Sequence, residues 1–406
     1  MIILLILLIC ILIFFALFSY IIHRHIFNFQ TIFLGIWCVI LILYSFQLSY
    51  LLEDLSPKTL SYMMLVFLSF VMGYFYIFTL NLPSYKRVRS LKPNFSKIKI
   101  RINEIFLDIS FYLIVIITII QGIYSGGYPI IWLALGDHKT YFDFGIPTFN
   151  GLFLSFLLFY SMLLYIELVK NPRKKYILYF IGVILIPIII ISRQVLITLI
   201  IQLTIIHHLY IRRINFSRLL PVIILVIILF GVVGNFRTGL DNFLYISQYK
   251  GEQMNYFLSG FYWAYIYLTM QLAHINNLIT YIDFDYGYGK FMFESFLPTV
   301  FLDFFYSNVT YSKPVFLVHP NFTVSSYMTS PFLDFGILGL CFYTFIIGAL
   351  SCYVYHNLRL ETTAKNFMIY VVLLQIIMMS FFVDFLLYLP VSFQFCWILV
   401  LKKYYQ

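Results

Sequence analysis

The chain has 406 residues, 62% of them hydrophobic and only 10% charged, against roughly 25% charged residues in a soluble domain. That composition excludes a water-soluble globular class, so one integral membrane domain over 1–406 is expected in place of two or three soluble domains. The formal net charge is +10, but Lys and Arg cluster in short loops between apolar runs, which reports membrane orientation rather than nucleic-acid binding.

The expected fold class is all-α: a polytopic bundle of about eleven spanning helices. The first run, 1–22, lacks the positive n-region of a secretory signal and is longer than a usual h-region, so it reads as a retained helix. Further spans are predicted near 31–52, 61–82, 105–125, 149–169, 176–192, 195–211, 219–236, 337–355, 367–386 and 389–402. Cys10, Cys38, Cys341, Cys352 and Cys396 all fall in apolar runs without metal-ligand spacing, which predicts lipid-facing or packing roles rather than disulfides or a zinc site.

Alternate loops carry most of the basic residues: Arg24, the run Lys86 to Arg101, Lys170 to Lys175, Arg212, Arg213, Arg218, Arg359, Lys365, Lys402 and Lys403. The positive-inside rule makes that side cytoplasmic, with an external N-terminus and a cytoplasmic C-terminus. Two segments on the other side are long enough to work on a substrate: 126–150, and 237–335 with about a hundred residues. Within the second, Phe257 to Ile282 and Phe293 to Phe305 are apolar but interrupted by residues such as Gly260, His274, Asn276 and Pro298, so they read as interfacial or re-entrant. No internal repeat is visible, which weighs against a transporter built from symmetric halves.

Two arginines stand at predicted external helix ends, Arg193 in Ser192-Arg193-Gln194 and Arg237 after Gly234-Asn235-Phe236. A guanidinium at a bilayer surface either snorkels as an anchor or, through its planar donors, clamps a lipid-linked diphosphate. His319, before Pro320-Asn321, is a candidate general base or a turn residue. Asp241, Glu252, Asp283, Asp285, Glu294 and Asp303 lack a spacing that compels a metal site, and are expected to be solvated or to pair with Lys250 and Lys290. Glu53-Asp54 beside Pro57 reads as a helix-end cap or as acidic groups of a metal-dependent transferase. Asp108, Glu167 and Asp384 lie in or at the edge of spans, and His207-His208 at a cytoplasmic end reads as interfacial.

Four stretches carry a family resemblance: Phe144-Gly145-Ile146-Pro147, Ser192-Arg193-Gln194, Gly234-Asn235-Phe236-Arg237, and Ser326 through Gly339 with Pro331-Phe332-Leu333-Asp334-Phe335-Gly336. With its topology, the chain resembles the Wzy family of O-antigen or oligosaccharide repeat-unit polymerases. The resemblance implies a GT-C-like membrane enzyme of the bacterial inner membrane, joining undecaprenyl-diphosphate-linked oligosaccharides at the outer face. It implies no cofactor, metal or nucleotide sugar, with a flippase and a chain-length regulator as partners. By analogy with the related O-antigen ligases, Arg193 and Arg237 would hold the donor diphosphate and His319 would assist the acceptor hydroxyl. A lipid-linked oligosaccharide flippase, an O-antigen ligase and a structural assembly subunit remain the competing readings.

Overall fold

The structure, a computed structural model, describes every residue except 1, 24, 82–94, 96, 97, 99, 140, 213–219, 221–223, 225, 226, 229, 230, 233, 236–238, 252, 253, 257, 282, 284, 307–315 and 406, and omits the side chains of 299, 300 and 303. The expected basic positions Arg24, Arg213, Arg218 and Lys313, most of the run from Lys86, most of the span 219–236, Glu252 and Arg237 therefore lie outside the described residues.

The described chain is helical throughout, in the order α1 Ile2–His23, α2 Phe29–Ser45, α3 Pro57–Leu80, α4 Glu104–Ser125, α5 Pro129–Leu135, α6 Phe149–Lys170, α7 Lys174–Ile189 and α8 Arg193–Ile206. There follow α9 Leu240–Ile246, α10 Ser259–Tyr281, α11 Lys290–Phe293, α12 Thr299–Tyr306, α13 Thr329–Leu360, α14 Ala364–Met378, α15 Leu389–Ser392 and α16 Gln394–Val400. Among the described residues, six helices are long and apolar enough to cross a membrane: α1, α3, α4, α6, α8 with its π-helical extension to Ile211, and α13. The protein is an all-helical, multi-pass membrane protein. Among the described residues the one β-type pairing is the isolated bridge Ser49–Tyr249.

Local chemistry sets the helix ends. Asn28, Ser56, Asn103 and Thr363 accept the N–H groups of Thr31, Thr59, Phe106 and Asn366, each three residues on, as N-caps do. Pro57 opens α3, where its missing N–H costs nothing, and Gly126 closes α4 at φ 73°. Enclosure then ranks the spans. The central window of α6 is 78% buried, against 17% for α1 and 28% for α4, so α6 sits inside the bundle while α1 and α4 face lipid.

The tightest crossing joins α3 to α13. A Cβ on Gly73 would stand 2.0 Å from the Phe345 carbonyl oxygen, and one on Gly348 would stand 2.2 Å from that of Phe70. Each helix thus lays a glycine on the other's backbone, the close approach that small residues permit in membranes. Phe33 of α2 stacks on Phe70 beside it, centroids 4.1 Å apart.

The connections sort into two ends. At one, Lys170 donates to the Ile100 carbonyl at 2.8 Å, Arg173 pairs with Glu104 at 2.7 Å, Asn103 N–H reaches Tyr404 O at 2.9 Å and Tyr210 donates to Ile98 O at 3.2 Å. At the other, Ser56 N–H meets Asn276 at 2.9 Å, Tyr327 N–H meets Ser380 O at 3.0 Å and Leu389 N–H meets Ser295 O at 3.1 Å. These are the two sets that the distribution of basic residues separates; the second is labelled the outer end below, after the orientation expected from the positive-inside rule.

Two expected spans end early. Helix α2 stops at Ser45, because residues 46–55 form an irregular loop, with Gln47 at φ 45°, whose backbone bonds to segment 248–250 instead of continuing the helix. Helix α14 stops at Met378, so Asp384 lies in a turn-rich connection where it accepts the Tyr343 hydroxyl at 2.6 Å. Asp108 instead pairs with Lys175 at 3.1 Å, and Glu167 accepts the Asn171 amide at 2.6 Å. His207 meets the Tyr165 hydroxyl at 2.7 Å, while His208 packs on Phe27, so the neighbours point to different partners.

Candidate functional site

The outer end is built around α10, which bonds to the loop after α2 and to the start of α3. Its Tyr265 hydroxyl accepts Leu48 N–H at 3.1 Å, while Asn276, eleven residues further on, accepts from Ser56 and, at 2.8 Å, from the Thr59 hydroxyl. A helix touching both positions packs along the connection between α2 and α3.

On this helix His274, fully buried, holds the segment that carries His319. Its Nε2–H donates to the Phe322 carbonyl at 2.8 Å, and its Nδ1 accepts Val318 N–H at 3.1 Å. Asn277 adds a bond to Phe316 O at 3.0 Å. Both ring nitrogens are used in the neutral form, and burial keeps the His274 pKa at about 4, below the ordinary 6.5. Between those values the detached segment binds a proton that the native site refuses. The His274 contribution to stability is therefore constant above pH 6.5 and falls as pH drops, by on the order of 3 kcal/mol at pH 4. Thermal unfolding across pH 4–8 is expected to show that loss in the wild type and a flatter profile in His274→Gln; equal slopes would refute the assignment.

His319 itself sits half-buried in the turn, where its Nδ1 accepts Asn321 N–H at 3.3 Å and its carbonyl accepts Phe322 N–H at 3.1 Å. In that arrangement the imidazole proton is on Nε2, which suits donation; action as a base requires the other tautomer and loss of the Asn321 bond.

The approach to α13 is fixed by Asp334. Its buried carboxylate accepts Phe291 N–H at 3.1 Å and Met292 N–H at 2.7 Å, and the backbone adds Gly287 N–H to Leu333 O at 3.1 Å. Gly287 has no room for a side chain, since its Cβ would be 2.3 Å from the carboxylate. Two residues on, Gly336 at φ 63° and ψ −157° breaks α13, a conformation closed to other residues. The Pro331–Gly336 stretch is thus the joint between the outer segment and the bundle.

Arg193 occupies the first turn of α8, exposed, and among the described residues no hydrogen bond or ion pair holds its guanidinium. The turn before it is strained: Ile191, β-branched, has φ 57°, a conformation that costs such a residue of order 1–3 kcal/mol. The described contacts bring His319 together with His274 and α10, but join neither to Arg193. Glu53 and Asp54 are exposed, and the α3 cap is supplied by Ser56 rather than by either acid. Asp241, Asp283, Asp285 and Glu294 are exposed. Sequence reasoning passed over His274 and the Asp334 anchor, whose partners lie more than forty residues away in the chain. The signal that pointed to His274 was a lone histidine among Gln271, Asn276 and Asn277 on an otherwise apolar run, while Asp334 stood within the Pro331-to-Gly336 stretch.

No family model, no curated protein and no solved structure matches this chain.

Proposed function

We propose that the protein polymerises undecaprenyl-diphosphate-linked oligosaccharide repeat units into an O-antigen or capsular polysaccharide. The growing chain is transferred from its lipid carrier onto a new lipid-linked unit at the outer face of the inner membrane. In this reading the N-terminus is external, the C-terminus cytoplasmic, and the shorter apolar helices complete a GT-C-like bundle of about eleven spans.

The observation that carries the reading is the exposed guanidinium of Arg193, without an ion pair or hydrogen bond among the described residues and set on a strained turn at the outer end. Strain kept beside an uncompensated charge is what a preorganised anion site requires, because the donors must wait in place for charge that develops on the leaving diphosphate. Arg237, at a second outer helix end by sequence, supplies the other half of the clamp. His319 or a carboxylate takes the proton of the acceptor hydroxyl.

Purified protein in lipid, given a defined undecaprenyl-diphosphate oligosaccharide, is expected to yield a ladder spaced by one repeat unit, unaffected by EDTA. Arg193→Ala and Arg237→Ala are each expected to lower the rate at least a hundredfold without loss of fold. His319→Ala tests the proton acceptor. A missing ladder combined with flipping in vesicles would assign a flippase, and transfer to lipid A core sugar would assign a ligase.

A further inference from the structure

Beside the His319 segment, the outer end presents a patch of aromatic and acidic side chains. Tyr50, Tyr245 and Tyr281 are 66%, 82% and 67% exposed, and Glu53, Asp54 and Lys250 are exposed beside them. The backbone beneath is fixed. Tyr50 N–H donates to Gln248 O at 2.9 Å, Lys250 N–H to Leu48 O at 3.0 Å, and the buried Ser49 hydroxyl to Ser247 O at 2.5 Å. The Tyr44 hydroxyl holds the Glu53 carbonyl at 2.6 Å.

Side-chain contacts join its members in pairs. The Lys250 ammonium is 5.3 Å from the Tyr50 ring centre, Tyr281 donates to Glu53 at 3.5 Å, and Gln47 donates to Asp54 at 2.5 Å. The patch also borders the His319 segment, since Tyr281 follows Asn277, which holds Phe316, by one helical turn, about 6 Å along the axis.

Flat phenol rings on a rigid backbone, rimmed by carboxylate and amide groups, match a ligand with C–H faces and pairs of hydroxyls. Rings cover the former at little entropic cost, and carboxylates accept the latter. A phospholipid surface fits less well, because the two carboxylates repel its phosphates.

We propose that Tyr50, Tyr281, Glu53 and Asp54 form a carbohydrate-binding platform that holds a neutral oligosaccharide strand at the outer face, an inference that rests on the polymerase reading. Its acidic rim disfavours uronic acids, and its position beside the His319 segment suits the part of a glycan lying beyond the bond being formed.

The test uses the full chain in nanodiscs with lipid-free tetra- to hexasaccharides of neutral hexoses, N-acetylhexosamines or uronic acids, read by saturation-transfer NMR. Transfer to sugar C–H protons is expected for the neutral and N-acetylated members. Affinity should fall about tenfold in the double variant Tyr50→Ala/Tyr281→Ala and stay within about twofold in Tyr50→Phe/Tyr281→Phe. No transfer from folded wild type, stronger transfer to uronic acids, or transfer unchanged by the double alanine variant would overturn the platform. Because binding needs no turnover, a chain that makes no ladder but binds in this pattern refutes the polymerase reading and leaves the platform standing. A ladder without binding does the reverse.

Discussion

Replacing Gly73 with valine is expected to leave almost no monodisperse protein after extraction from the membrane. Even alanine would place a Cβ 2.0 Å from Phe345 O and 2.8 Å from its carbonyl carbon, and those atoms belong to the α13 backbone, which cannot rotate away as a side chain would. Overpacking costs typically 1–3 kcal/mol where neighbours give way; here relief requires moving two long helices apart. Doing so also breaks the Gly348 contact on Phe70 O and the Phe33–Phe70 stack. Gly348→Val is expected to behave identically. Gly35 of α2, with nothing within 4 Å of its would-be Cβ, is the control: Gly35→Ala should keep or slightly raise the melting temperature. Fluorescence-detected size exclusion of the three variants decides it, and a normal peak for Gly73→Val would mean that the α3–α13 crossing is wrongly placed.

The second large effect is expected at Asp334. Hydrogen bonds to an ionised group contribute about 1.5–3 kcal/mol each, and this carboxylate accepts two from the backbone of Phe291 and Met292. Asp334→Ala leaves one buried and one part-buried N–H group unpaired, a loss on the order of 3 kcal/mol concentrated at one joint. The outcome is local: segment 287–306 should become sensitive to added protease, while the helices of the bundle remain protected. Asp334→Asn keeps one acceptor oxygen and should give an intermediate cleavage rate. Gly287→Ala, whose Cβ meets the same carboxylate at 2.3 Å, should reproduce the alanine phenotype from the other side of the contact. Cleavage at the wild-type rate in all three would show that the segment is held by other means.

The sequence announces its long helices because hydrophobic length is a local property. Helices α1, α4 and α6 begin and end within two residues of the predicted spans, with Asn103 and Gly126 marking both ends of α4 in plain view. Where reading overshoots, the missing information is elsewhere in the chain. Residues 46–55 are apolar enough to extend α2, but their hydrogen bonds go to 247–250. Residues 379–386 likewise look like the end of a span, yet Ser380 is claimed by Trp37 and Tyr327, and Asp384 by Tyr343. The same holds for the candidate site. Arg193 is legible as a lone cation between two apolar runs, whereas the strain at Ile191 and the His274 clip are products of tertiary structure.

The distances in sequence between hydrogen-bonded partners carry a consequence for biogenesis. Trp37 finds its acceptor on Ser380, 343 residues later, and Tyr370 reaches Phe27 O across the same interval. Asn276 satisfies Ser56 and Thr59 from 220 and 217 residues away. During synthesis, then, the first three helices enter the bilayer as a provisional assembly whose inner polar groups and glycine-lined face have no permanent partner until α13 and α14 emerge. For most of translation that face must be sheltered by lipid, by the insertion machinery or by a chaperone. A ribosome stalled before α13 would therefore release a chain fated for degradation rather than a smaller working protein.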